Sequence, residues 1–227
     1  MIKAIVFDLD NTLVDFMAMK EAAIEAAVVA MIDAGLNMSR HAAKESIYRI
    51  YEEEGIEDQR VFDKFFTKEF GRIDYRIHAA GIVGYRRARE AALVLYPHVH
   101  LALMELIKRG KKLAVVSDAP RLQAWLRLCQ LNLQHTFDCV ITFEDTLKRK
   151  PDPEPFRKAL AQLQVSASEA IMVGDWAERD IIGARVLGMK TVFARYGDRF
   201  GTKQSGADFE IDDIMTILPI VDRLSEE

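Results

Sequence analysis

Asp8-Leu9-Asp10-Asn11-Thr12 follows directly on the apolar run Ala4 to Phe7. Residues two apart on an extended chain point to the same side, so Asp8 and Asp10 project together where a strand ends. Carboxylates that close repel one another, and a metal ion or a shared proton must compensate. The geometry recurs in Gly174-Asp175-Trp176-Ala177-Glu178-Arg179-Asp180, which follows the apolar run Ala170 to Val173. If both runs are parallel strands, Asp175 emerges at the same edge as Asp8 and Asp10, where open α/β sheets bind ligands. Together they offer the hard oxygen ligands that Mg²⁺ prefers and leave places for water and phosphate, with Asp180 placed to orient one ligand from behind. Ser117 follows Leu113 to Val116, and Lys150 follows Leu147-Lys148-Arg149 just ahead of Pro151-Asp152-Pro153. A hydroxyl and an ammonium are what a dianionic phosphate requires, one to fix an oxygen and one to offset repulsion from an attacking carboxylate. Taken singly, each has a plainer reading: Asp and Ser are common in turns and helix starts, and Lys148 to Lys150 resembles a solvated charge run.

The elements that must position these residues are legible in the apolar pattern. Ala4 to Phe7, Leu113 to Val116, Cys139 to Thr142, Ala170 to Val173 and Thr191 to Ala194 lack alternation, as strands buried on both faces do. Between them lie helical spacings: Val99, Ala102, Leu103, Leu106 and Ile107; Leu122, Trp125, Leu126 and Cys129; Phe156, Ala159, Leu160 and Leu163. Gly110 and Gly188 stand where helix-ending residues are expected. Repeated strand, helix, strand predicts an α/β fold, a Rossmann-like parallel sheet with helices on both faces.

Residues 15–95 contain no convincing strand but several helical patterns ending at Gly35, Gly55 and Gly71. Their apolar residues, including Ile47, Ile50 and Tyr51 and the stripe Phe62, Phe65, Phe66 and Phe70, suffice for a small bundle. This predicts a helical insert over 15–95 in a core built from 1–14 and 96–227. Tyr96-Pro97 marks the return to the sheet. The tail offers a short strand, Phe209 to Ile211, and a helix with Ile214, Ile217, Leu218, Val221 and Leu224 on one side.

An acid pair, a hydroxyl, a lysine and a second acid pair, each following a predicted strand, resemble the haloacid dehalogenase superfamily. The most specific stretches are Val6 to Leu13, Lys150 to Pro153 and Val173 to Asp180, and the helical insert is similar to that family's mobile cap. The resemblance implies a Mg²⁺-dependent phosphatase in which Asp8 attacks phosphorus, while Asp10 protonates the leaving oxygen and then activates water. It further implies Mg²⁺ held by Asp8, the backbone carbonyl of Asp10 and Asp175, with phosphate bound by Ser117, Lys150 and Thr12. Asn11 stands where glycine is frequent, Asp118 where asparagine is, and Trp176 where a small polar residue is. Asp118 adds negative charge beside a phosphate site, so it must point away or pair with a cation, Lys148 or Lys150 among the choices. A phosphomutase shares all these core residues, and a non-catalytic phosphate-binding regulator would keep the fold. A halide-releasing enzyme would lack Asp10.

Composition sets the remaining bounds. The chain has 227 residues, 50% of them apolar, with 31 basic against 35 acidic side chains and a formal net charge of -4. Such a chain buries a substantial core and carries no strong field for nucleic acid. The apolar stretch Ala22 to Ile32 is broken by Glu25 and is too short to span a bilayer. Two cysteines, Cys129 and Cys139, point to a reducing interior and a cytoplasmic protein with no disulfide framework. The expected partner is a small phosphorylated metabolite, with neither nucleic acid nor membrane, and the oligomeric state is open. Arg86, Arg87 and Arg89 read as a solvated helix face that could also meet an anionic substrate.

Overall fold

The computed structural model describes residues 1–226. Its six strands are β1 (Ala4–Phe7), β2 (Lys112–Val116), β3 (Cys139–Ile141), β4 (Ala170–Gly174), β5 (Lys190–Ala194) and β6 (Phe209–Ile211). All pair in parallel, in the order β3-β2-β1-β4-β5-β6. β1 therefore sits between β2 and β4, with Phe7 level with both Val115 and Val173. That register decides the chemistry, because it brings the residues that follow β1, β2 and β4 to one edge.

The α-helices among the described residues are α1 (Phe16–Asp33), α2 (Arg40–Glu54), α3 (Val61–Phe70), α4 (Tyr75–Ala92), α5 (Val99–Lys108), α6 (Arg121–Gln130), α7 (Phe143–Thr146), α8 (Glu154–Leu163), α9 (Ile182–Val186) and α10 (Ile217–Glu226). On one side of the sheet, Ala4, Val6, Ala114, Val116, Ala170 and Met172 form a core with Phe156, Ala159, Leu160 and Leu163 of α8 and Ala184 of α9. Ile5, Phe7, Leu113, Val115, Ile171 and Val173 alternate with them and are equally buried, so both faces are covered. α5 packs on β2 and against α10.

The chain divides into two compact units, Met1–Asp15 with Val94–Glu227, and Phe16–Leu93. The first closes on itself where the chain leaves and returns: Asp15 N donates to Val94 O at 3.1 Å and Tyr96 N to Leu13 O at 3.0 Å. The second is α1 to α4. Its core gathers Ile24, Val28 and Met31 of α1, Ile47 and Ile50 of α2, Phe62, Phe65 and Phe66 of α3 and Ile77 of α4. Phe65 and Phe66 meet edge to face at 5.2 Å. Lys20 is buried in this unit, its ammonium 4.3 Å from the Tyr51 ring centroid. Among the described residues, no helix is long and apolar enough to cross a membrane.

The structure corrects the predicted face of one helix and a single residue on each of two others. On α6, Leu122, Trp125, Leu126 and Cys129 are exposed, whereas Ala124, Arg127 and Leu128 are buried. Ile107 of α5 and Phe70 of α3 also face out. For α6 the reason is polar: Arg127 turns inward to an acid at the sheet edge, and the apolar stripe on the far side is left outside.

Candidate active site

At the carboxyl edge, Lys150 lies fully inside the molecule and is the hub. Its Nζ donates to Asp8 Oδ1 at 2.6 Å and to Val116 O at 3.1 Å, and stands 2.7 Å from Asp180 Oδ1. Asp8, Asp175 and Asp180 each offer a carboxylate oxygen within 4.8 Å of the others, and all three are buried. Three buried carboxylates against one ammonium leave two negative charges uncompensated. Burial and the facing carboxylates of Asp8 and Asp180 accordingly push the Asp175 carboxyl well above the usual range. Asp180 is raised to about 6, mainly by burial, with Lys150 opposing the rise. Burial opposes the charge on the Lys150 ammonium, but the carboxylates of Asp180, Asp8 and Asp118, in that order, outweigh it and hold the group in its charged form.

The local backbone explains how these side chains arrive. Asn11 adopts a left-handed conformation, φ 61°, which asparagine tolerates in place of glycine. It turns the chain so that Leu13 N and Val14 N both donate back to Leu9 O. Thr12, fully buried, donates from Oγ1 to Asp175 Oδ1 at 2.8 Å, tying the turn after β1 to the turn after β4. Asp180 is swung inward by a π-helical turn over Ala177–Ile181, a distortion frequent at functional sites. Its Oδ2 accepts from Trp176 N at 3.0 Å. A Cβ on Gly174 would lie 2.3 Å from that Oδ2, so glycine is required there.

Asp8, Thr12, Lys150, Asp175 and Asp180 thus form one connected cluster. Ser117 stands one residue beyond Val116, whose carbonyl receives Lys150, and its Oγ accepts from Ala119 N at 3.1 Å. Asp10 is not among the three clustered carboxylates. Its Oδ2 accepts from Arg127 Nη1 at 2.9 Å. Arg127 is 6% exposed and is the residue that sequence reasoning missed. Its signal was available, since a helix whose arginine falls between Ala124 and Leu128 is a helix with a buried cation.

Asp118 is settled too. Its carboxylate pairs with neither Lys148 nor the Lys150 ammonium. Oδ1 accepts from the Lys150 backbone N at 2.9 Å and Oδ2 from Arg179 Nη1 at 3.0 Å.

The family model for haloacid dehalogenase-like hydrolases matches residues 5–194. The chain belongs to that family. A glyceraldehyde 3-phosphate phosphatase of Methanocaldococcus jannaschii is 35% identical to this hydrolase over 230 residues, with 100% of both chains covered. A second, of Methanopyrus kandleri, is 34% identical over 235 residues, again with 100% of both covered. The crystal structure of a HAD phosphatase from Thermococcus onnurineus is similar at a TM-score of 0.73 and 27% identity, covering 97% of the hydrolase and 98% of that chain. Hydrolysis of a phosphate monoester of a small metabolite is the activity this membership carries.

Proposed function

We propose that the hydrolase is a Mg²⁺-dependent phosphatase that works through a phosphorylated Asp8 and acts on a short phosphorylated metabolite of the glyceraldehyde 3-phosphate kind. The substrate follows the relatives that align over the whole chain. The observation that carries the metal is the imbalance of charge: three buried carboxylates within 4.8 Å share one ammonium. The deficit of two charges, and a donor set made only of oxygens, fit a hard divalent cation. Asp8, Asp175 and the backbone carbonyl of Asp10 would hold Mg²⁺, which when bound offsets carboxylate charge and polarises the phosphate oxygens.

The residues themselves divide the remaining work. An Asp8 carboxylate oxygen attacks phosphorus, the bond from phosphorus to the leaving oxygen breaks, and Asp10 delivers a proton to that oxygen. Asp10, now a carboxylate, takes a proton from water. The water oxygen attacks phosphorus, the bond to Asp8 breaks, and inorganic phosphate leaves. Lys150 and the Ser117 hydroxyl offset and orient the phosphoryl oxygens, while Thr12 keeps Asp175 in place from the neighbouring turn. Asp180 orients Lys150 from behind. We assign Phe16–Leu93 as the cap that selects the substrate.

The test is release of inorganic phosphate from a panel of phosphorylated metabolites with Mg²⁺ and with EDTA. EDTA-sensitive release with the highest kcat/KM on a triose phosphate is expected. Release that survives EDTA, or none from any member of the panel, contradicts the reading.

A further inference from the structure

Asp118 is a carboxylate at the sheet edge that the mechanism does not use. It follows Ser117, and a second anion beside a phosphate site should weaken phosphate binding. The structure shows where its charge goes. Oδ1 accepts from the backbone N of Lys150 at 2.9 Å, Oδ2 accepts from Arg179 Nη1 at 3.0 Å, and the backbone carbonyl accepts from Arg149 Nη1 at 3.0 Å. One residue therefore joins the loop after β2, the loop that carries Lys150 and the turn after β4. Arg179 is itself held in place: its guanidinium lies 3.7 Å from the centroid of the Trp176 ring, and that ring packs on Phe200 at 4.3 Å. The side chain of Asp118 is 14% exposed and that of Arg179 35%, so the pair is partly shielded from water and keeps much of its Coulombic coupling.

We infer that Asp118 and Arg179 form a strut that positions Lys150, with Asp118 anchoring the Lys150 backbone and Arg179 supplying the counter-charge that lets a carboxylate stand beside bound phosphate. This rests on the reading of Ser117 and Lys150 as the phosphate-binding groups. Neither strut residue touches the reacting atoms. Asp118 acts through the Lys150 main chain, and Arg179 acts by cancelling the charge of Asp118. The two substitutions must then be coupled in sign. Removing Arg179 exposes the Asp118 charge to phosphate, and neutralising Asp118 repairs that loss. A residue needed only for folding would not behave this way.

The experiment measures two quantities at fixed ionic strength and saturating Mg²⁺: the affinity for inorganic phosphate by titration calorimetry, and KM and kcat for p-nitrophenyl phosphate. The proteins are the wild type, Arg179→Met, Asp118→Asn, the double variant and Asp118→Ala. Arg179→Met should weaken phosphate binding and raise KM by about fivefold, with a smaller change in kcat, the scale of one uncompensated charge at moderate range. Asp118→Asn in that background should bring both back to within about twofold of the wild type. Asp118→Ala should lower kcat by about tenfold because the Lys150 backbone loses its acceptor, whereas Asp118→Asn retains that acceptor and most of kcat. Simple addition of the two single effects, or unchanged phosphate affinity in Arg179→Met, overturns the inference. Should Arg179→Met fail to fold, Arg179→Lys keeps the charge and should stay near wild-type affinity; a large loss there overturns the counter-charge. A wild type that binds phosphate but hydrolyses nothing sinks the phosphatase reading alone, since the order of affinities still decides the strut.

Discussion

Gly197→Ala is the substitution whose consequence is most directly set by geometry. Gly197 closes the short turn Arg195–Gly197 after β5, next to Tyr196, whose hydroxyl donates to Thr12 O at 2.8 Å. A Cβ built there would lie 1.7 Å from Asn11 O, 2.9 Å from Asn11 C and 2.9 Å from Asp175 Cβ. Contacts under 3.0 Å essentially do not occur, so the two backbones must separate by roughly 1.3 Å. The nearest atom belongs to the main chain and cannot swing aside as a side-chain tip would. The segment that has to move carries Asp10, Asn11 and Thr12, and the third contact is with Asp175 itself. Misplacing catalytic groups by about 1 Å costs on the order of 10²-fold in rate. Overpacking by one methyl group costs about 1–3 kcal/mol, which for a chain of this size lowers Tm by roughly 2–12 °C. Gly197→Ala should therefore remain folded and lose about 10²-fold in kcat/KM. The assay is Mg²⁺-dependent hydrolysis of p-nitrophenyl phosphate alongside thermal denaturation followed by circular dichroism. A variant within about twofold of wild-type kcat/KM would show that the turn yields freely and that the contact does not hold the site.

The remaining predictions probe charge at the same edge. Asp8→Asn should abolish turnover at unchanged fold, because it removes the nucleophile without changing volume; retained Mg²⁺-dependent phosphate release would contradict the mechanism. Lys150→Ala should lower kcat by about 10²–10³-fold, the scale of one preorganised charged donor. A mild loss in that variant would mean that Lys148 takes its place. The raised carboxyls of Asp175 and Asp180, the latter at about 6, keep protons in the folded state that the unfolded chain releases near pH 4. Without metal, these groups therefore make stability fall as pH rises from about 4 through their folded values. Mg²⁺ competes with those protons, so its stabilisation, about 2.7 kcal/mol at a hundredfold excess over Kd, should be larger at pH 8 than at pH 5. Thermal denaturation with Mg²⁺ and with EDTA at the two pH values measures this, and an equal Tm shift at both would refute it.

How much of this was legible in one dimension can be judged residue by residue. The runs Ala4 to Phe7, Ala170 to Val173 and Thr191 to Ala194 were readable as strands because parallel strands covered on both faces are apolar without alternation. Asp8, Ser117 and Asp175 were readable as neighbours because each follows such a run, and parallel pairing carries the ends of β1, β2 and β4 to one rim. Periodicity failed on α6. Leu122, Trp125 and Leu126 keep helical spacing but face outward, while the opposite face buries Ala124 and Leu128 and turns Arg127 to Asp10.

Sequence alone determined the main strands and helices and their order, since those depend on local sterics and on the burial pattern of neighbouring residues. It also determined that Asp8, Ser117 and Asp175 would reach one rim, but not that Arg127 would join Asp10 there. Only the tertiary structure decided how they pair: Asp118 with Arg179 and the Lys150 main chain, Thr12 with Asp175, Asn11 against Gly197. Those partners lie 32 to 186 positions apart along the chain, and each contact exists because the strand order β3-β2-β1-β4-β5-β6 folds distant loops onto one edge. Local propensity has no access to distances of that kind. A side chain's partner is set by the sheet that places it, not by the residues beside it.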